Sequence, residues 1–182
     1  MAAGTQDRRS LRTRAALRAS FGALLLERGF EALTLGEVAA HANVGRSTLY
    51  EHFRTKQDLL QATLAAPLAI LADLVLPDSP RAVAGLLQHF RDNHGVSRVL
   101  LGHELRPIVS RTLAGLTAER LAGQDASLIA AEITARQIAD AQLALIECWV
   151  LGRPAMELGV AAAALERSSR ALAVAHAGFP AE

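Results

Sequence analysis

TLGEVAAHANVGRSTLYEHF, residues 34–53, decides the reading of this chain. Thr34-Leu35-Gly36-Glu37 forms a capping box, in which the Thr34 hydroxyl accepts from the Glu37 amide and the Glu37 carboxylate returns to the Thr34 amide. Leu33 and Val38 are spaced as the hydrophobic staple of the same helix start. That helix is short and ends near His41 or Ala42. Asn43 follows, one of the few non-glycine residues at ease at positive φ, and a tight turn is implied. Gly45 then caps another helix, with Val44 and Leu49 as its staple and Leu49 and Phe53 on its buried side. Arg46, Ser47, Tyr50 and Glu51 are left facing outward. Two short helices joined by a tight turn, the second exposing Arg, Ser and Tyr at its start, match a helix-turn-helix reader whose second helix enters the major groove.

Upstream, residues from about Arg9 to Arg28 place Leu17, Phe21, Leu24 and Leu25 on one helical face, and Gly29 supplies a stop. Downstream, Thr55 opens a further helix with Asp58 as its capping partner. Lys56, at the first helical position, adds charge beside free backbone amides, an end suited to a phosphate. Residues 1–65 carry nine Lys and Arg against six Asp and Glu, whereas residues 66–182 carry ten against twelve. Five of the basic residues, Arg8, Arg9, Arg12, Arg14 and Arg18, lie in the first helix or just before it. They either meet an anionic surface or form a solvated charged face.

The run from Thr34 to Ala39, followed by Asn43 to Phe53 and then Lys56 and Leu59, resembles the signature of the TetR family of transcriptional regulators. The resemblance covers residues 10–60, about a third of the chain. It implies phosphate contacts from Thr34, Thr48, Tyr50, His52 and Lys56, and base-edge reading from Arg46 and Ser47, with Leu49 and Phe53 structural. Taken apart from that pattern, Tyr50 and His52 would equally pack or cap within the head. Two positions depart from the family: Asn43 stands where glycine is usual, and Gly45 where Ser or Thr is usual. Asn tolerates the turn, and Gly for Ser at a cap costs only about a few tenths of a kcal/mol, so affinity is touched and the fold is not. The resemblance further implies a cytoplasmic homodimer on a pseudo-palindromic operator in double-stranded DNA, acting as a repressor released by a small-molecule effector. The domains are then a DNA-binding head, residues 1–60, and a ligand-binding and dimerisation body, residues 61–182.

The remainder reads as helix throughout, making the fold class all-α: a three-helix helix-turn-helix head and a helical body, about nine helices in total. Of the 182 residues 51% are hydrophobic, yet only 4% are aromatic, and Ala and Leu dominate. The fourth helix continues toward Leu76, bent or divided at Pro67. A fifth starts at Ser79-Pro80 and buries Val83, Leu86, Leu87 and Phe90; a sixth, near Val96–Leu105, is stopped by Pro107; a seventh runs from about Ile108 to Leu121, with Gly123 after it. Asp125 or Ser127 caps a long eighth helix that ends at Gly152 and Pro154, and a ninth spans Met156 to about His176. Apolar residues wrap much of the last two helices, Leu143 and Leu165 among them. That excess over what one body's core needs implies a partner chain, with the chain's own core as the alternative, and the resemblance implies that these two helices form a four-helix interface with a second copy. The fifth to eighth helices offer apolar side chains with few convergent charges, which suits an apolar effector, or a core packed solid.

Several classes are disfavoured. The single cysteine, Cys148, rules out an internal disulfide framework, and among apolar helical neighbours a thiol is normally inert. The start MAAGTQDRRS lacks the apolar stretch of a signal peptide, and the longest apolar runs are broken by Pro67 and Asp73 or by Glu147, so no membrane partner is expected. His89, His94, His103 and Glu104 lack metal-ligand spacing. No phosphate loop or nucleophile elbow is present, so neither enzymatic activity nor a cofactor is expected. The rival from another class is a helical ligand-binding or adaptor protein that keeps a degenerate DNA-binding head.

Overall fold

The computed structural model describes residues 3–77, 82–122 and 128–176, and among these every regular element is a helix. The chain divides into two compact units, Met1–Leu64 and Ala65–Glu182.

The first unit opens with α1, Ala3–Ala32, which starts earlier than the apolar spacing predicts. Gly29 interrupts it with φ 74° and ψ 171°. That conformation is essentially open to glycine alone, so the sequence signal for a stop at Gly29 is a backbone requirement. Gly29→Ala is expected to destabilise the chain by about 1–3 kcal/mol, measurable as a lowered urea midpoint. Beyond the kink come α2, Leu35–His41, and α3, Arg46–His52, joined through Asn43 at φ 53°. Next is α4, Lys56–Ala72, which continues through Pro67. Leu17, Phe21, Leu24 and Leu25 of α1 are buried with Leu33, Val38, Leu49, Phe53, Leu59 and Leu60. Phe21 and Phe30 meet edge to face with centroids 6.4 Å apart, a favoured aromatic geometry.

In the second unit, a 3-10 turn at Asp73–Val75 is followed by α5, Val83–Asp92, α6, His94–Leu101, and α7, Arg106–Leu121. The unit is completed by α8, Leu128–Leu151, and α9, Leu158–His176. The expected caps at Ser79-Pro80 and at Gly123, Asp125 and Ser127 lie outside the described residues. α6 ends at Gly102, well before Pro107. A methyl on Gly102 would stand 3.1 Å from the Arg98 carbonyl oxygen and 3.3 Å from that of Val99, a tight exit that a larger residue enters only with a small backbone shift. Pro107 instead lies in the first turn of α7, where its missing N–H removes no helical hydrogen bond. Gly152, at φ 63°, ends α8.

α7 packs along α8, α8 along α9, and α5 against both α8 and α9. Trp149 is the largest buried side chain; its indole N–H donates to the Leu87 carbonyl at 2.9 Å and the Arg91 guanidinium stacks 3.4 Å from its ring centroid. Gln142 bridges the Leu71 carbonyl and the Ser169 hydroxyl through its Nε2, leaving Oε1 buried without a partner among the described residues. Asp140 accepts from Ser110 and from Arg136. Burial pushes its carboxyl upward, but the Ser110 and Arg136 hydrogen bonds, with the charges of Arg136 and Arg106, hold it below the ordinary range.

The expectation that Leu143 and Leu165 are available to a partner is corrected here. They are 2% and 0% exposed within the chain's own core, so charging them would unfold the body. The apolar side chains left in water on these helices are Ile129, Ile133 and Leu151 of α8 and Val160 and Val174 of α9. The apolar stretch Lys56–Val75 is long and hydrophobic enough by composition to cross a membrane. Its Leu59, Leu60 and Leu64 are buried in the first unit, and its Leu68, Leu71 and Leu74 in the second, which accounts for that hydrophobicity.

Candidate nucleic-acid interface

The capping box forms as its spacing requires: Glu37 N donates to Thr34 Oγ1 at 3.3 Å, and Thr34 N donates to Glu37 Oε2 at 2.9 Å. Arg28 from α1 pairs with the other Glu37 oxygen. The Thr34 hydroxyl and amide, then the Arg28 charge, hold the Glu37 carboxyl below its ordinary 4.5. A depressed carboxylate stabilises the folded state above its unfolded pKa, and the contribution is lost as pH falls through the folded value. The head is therefore expected to loosen below pH 4.5, with Glu37→Gln flattening that acid limb in a pH series of thermal melts.

On this frame α3 rises from the Gly45 cap, and the Leu49 amide bonds the Gly45 carbonyl at 3.0 Å. Leu49 is fully buried, which turns Arg46, Ser47 and Tyr50 outward; Tyr50 is 54% exposed. Thr48 and His52 are half-buried at the flanks. The Arg46 guanidinium lies over Gly36 of α2, where an added methyl group would stand 3.5 Å from Nη2.

His52 has a partner that sequence spacing did not suggest. Arg14 Nε of α1 donates to His52 Nδ1 at 3.4 Å. Nδ1 is the acceptor in this contact, and Nε2 is the ring nitrogen left for another partner. Arg18, another member of the amino-terminal cluster, donates to the Ala62 carbonyl. These two arginines are therefore tied into the head, whereas Arg9 and Arg12 are exposed.

The start of α4 is capped as its spacing requires. Thr55 and Asp58 cap each other at 2.9 and 3.0 Å, and Asp58 Oδ2 also accepts the Arg54 amide at 3.1 Å. Those bonds take up the amides of Arg54, Thr55 and Asp58 and do not involve those of Lys56 and Gln57 in the first turn. The Lys56 side chain turns back. Its ammonium donates to the Phe30 and Glu31 carbonyls at 2.9 and 3.0 Å and lies 4.6 Å from the Phe30 ring centroid. Two of its three protons serve the carboxyl end of α1, beyond the Gly29 kink, and the Glu31 carboxylate lies 3.7 Å from the same ammonium.

Residues 22–63 match the family described as bacterial regulatory proteins, tetR family. A 76-residue stretch is 34% identical to the protein named uncharacterized HTH-type transcriptional regulator YxbF of Bacillus subtilis strain 168. That match covers 41% of this chain and only 20% of the relative's length. The crystal structure of a TetR transcriptional regulator from Streptococcus agalactiae 2603V superposes with a TM-score of 0.54 at 21% identity, covering 92% of this chain and 98% of that one. This similarity extends the shared fold beyond the head. The helix-turn-helix is thus built on residues that match the tetR-family model, and it is continued by an all-helical body that shares the fold of that solved regulator.

Proposed function

We propose that this regulator binds a pseudo-palindromic operator as a homodimer, represses the adjoining promoter, and is released by a small apolar effector. The observation that carries the DNA reading is α3, with Leu49 buried on one side and Arg46, Ser47 and Tyr50 exposed on the other. In this proposal Arg46 and Ser47 meet base edges in the major groove, while Thr48, Tyr50, His52 and the Lys56 ammonium bond phosphates; Thr34, whose hydroxyl and amide both donate to Glu37, joins them only by giving up one of those bonds. The homodimer reading is supported by the apolar side chains that α8 and α9 leave in water. The effector reading draws on the resemblance; Leu86, Leu87, Leu100, Leu101, Val109 and Leu113 of α5 to α7 are buried, as they also are in a body packed solid, and the test below separates the two. An effector acts only to the extent that it binds one arrangement of the protein better than the other, and DNA must then weaken its binding by the same factor.

The test is selection of duplexes from a random pool by the purified chain, followed by footprinting. Enrichment of an inverted repeat, with affinity falling steeply as salt rises, is the expected result. Retention of no sequence above the nonspecific level would instead favour a helical ligand-binding protein with a disused head. Small hydrophobic compounds that raise the melting temperature are then assayed for operator release. A compound that stabilises the body yet leaves DNA affinity unchanged removes the allosteric part of the proposal.

A further inference from the structure

Lys56 is the only lysine in the chain, and the groups that hold its ammonium all belong to the carboxyl end of α1. Two protons go to the Phe30 and Glu31 carbonyl oxygens. Near the third stands the Glu31 carboxylate, its Oε2 3.7 Å from Nζ. That separation makes an ion pair but is too long for a hydrogen bond. The Lys56 side chain is 23% exposed and that of Glu31 80%, and Lys56 is the only ion-pair partner of Glu31 among the described residues. An exposed pair of this kind is weak.

A DNA phosphate approaching Lys56 therefore meets a carboxylate already beside the proton it needs. A phosphate oxygen bonded to the ammonium at about 2.9 Å would lie no more than about 6.6 Å from Glu31 Oε2. At low salt, with a screening length of about 30 Å, the two anions repel almost unscreened; at physiological salt that length falls to about 8 Å. Glu37 is in a different position, because the Thr34 amide and hydroxyl and the Arg28 guanidinium hold it in place. Glu31 has no such ties among the described residues. It either stays and repels the phosphate or swings away and gives up its pair, and both lower affinity.

We propose that Glu31 is an internal competitor of the DNA backbone at Lys56, setting how tightly each head holds a duplex without reading its sequence. The proposal rests on the reading that Lys56 bonds a phosphate, and goes beyond it by giving a role to an acidic residue outside the helix-turn-helix. Phosphates carry no base information, so operator and unrelated DNA are affected alike. By Coulomb's law in water, like charges about 6.6 Å apart lower affinity by about a factor of three for each head, hence about tenfold for a dimer with both heads bound.

The experiment is fluorescence anisotropy of two labelled duplexes, one enriched by the selection above and one unrelated, titrated with the full chain across a salt series. The variants are Glu31→Gln, Lys56→Ala, the two combined, and Glu27→Gln, which removes an acid of the same helix that pairs with Arg28 instead of Lys56. Glu31→Gln should tighten both duplexes about tenfold at low salt, with the gain shrinking as salt rises and the melting temperature nearly unchanged. The gain should vanish in the Lys56→Ala background, and Glu27→Gln should give less than half of it. If Lys56→Ala weakens binding while Glu31→Gln leaves it unchanged, the competition is overturned and the phosphate contact stands. An equal gain without Lys56, or from Glu27→Gln, also overturns it, because charge alone would then suffice. Lys56→Ala that folds and binds like wild type overturns the phosphate reading, and the role of Glu31 with it. If circular dichroism shows Lys56→Ala unfolded, the salt series of Glu31→Gln against Glu27→Gln decides.

Discussion

Replacing Trp149 with alanine is expected to destabilise the chain by about 3–5 kcal/mol, the cost of emptying a large, fully buried aromatic site. Three losses combine at that position. The indole is only 1% exposed, so its volume becomes a cavity that the surrounding helices refill only in part. Its N–H no longer meets the Leu87 carbonyl, and Arg91 loses the ring on which it stacks. Trp149→Phe separates these contributions, because it keeps an aromatic body and removes the hydrogen bond, worth about 1 kcal/mol. Urea unfolding followed by far-ultraviolet circular dichroism checks both variants. Equal losses for Ala and Phe would mean that polar pairing, not packing, dominates the site.

Arg46→Ala is expected to cost about 1–3 kcal/mol of operator binding, concentrated at particular base pairs, because a groove-reading guanidinium discriminates where a phosphate contact does not. Its contrast is Lys56→Ala, which should weaken all sequences alike and flatten the salt dependence by about one unit. The Lys56 variant should also lower the melting temperature, since the ammonium holds the Phe30 and Glu31 carbonyls. Arg46, exposed and outside the core, should leave the melting temperature unchanged. Binding titrations against the operator, single-base variants of it and unrelated DNA distinguish the outcomes. If both variants lost only nonspecific affinity, the assignment of Arg46 to base edges would fail.

Much of the head was legible because its signals are local. The capping box, the Asn43 turn and the Gly29 break are properties of a few adjacent backbone units, and each appears in the structure. Pro107 was misread because proline both ends helices and begins them, and the spacing of apolar residues around it does not say which. The partners of Lys56 and His52 were not legible. They depend on contacts between residues 26 and 38 positions apart, which no periodicity encodes. Leu143 and Leu165 illustrate a different limit: an apolar side chain looks the same in sequence whether it faces its own core or a second chain. Only the solvent exposure of Ile133 and the burial of Leu143 separate the two cases.

The placement of the rarest side chains also provides two optical reporters. The chain has one tryptophan and one tyrosine. Trp149 lies in the core of the body, and Tyr50 lies exposed on the recognition helix. Red-edge excitation therefore isolates intrinsic emission from the body, so an effector titration can be followed without a dye. DNA has little influence on that signal unless the body itself responds. A change in Trp149 lifetime or emission maximum on adding operator alone would be a direct spectroscopic reading of coupling between the two units.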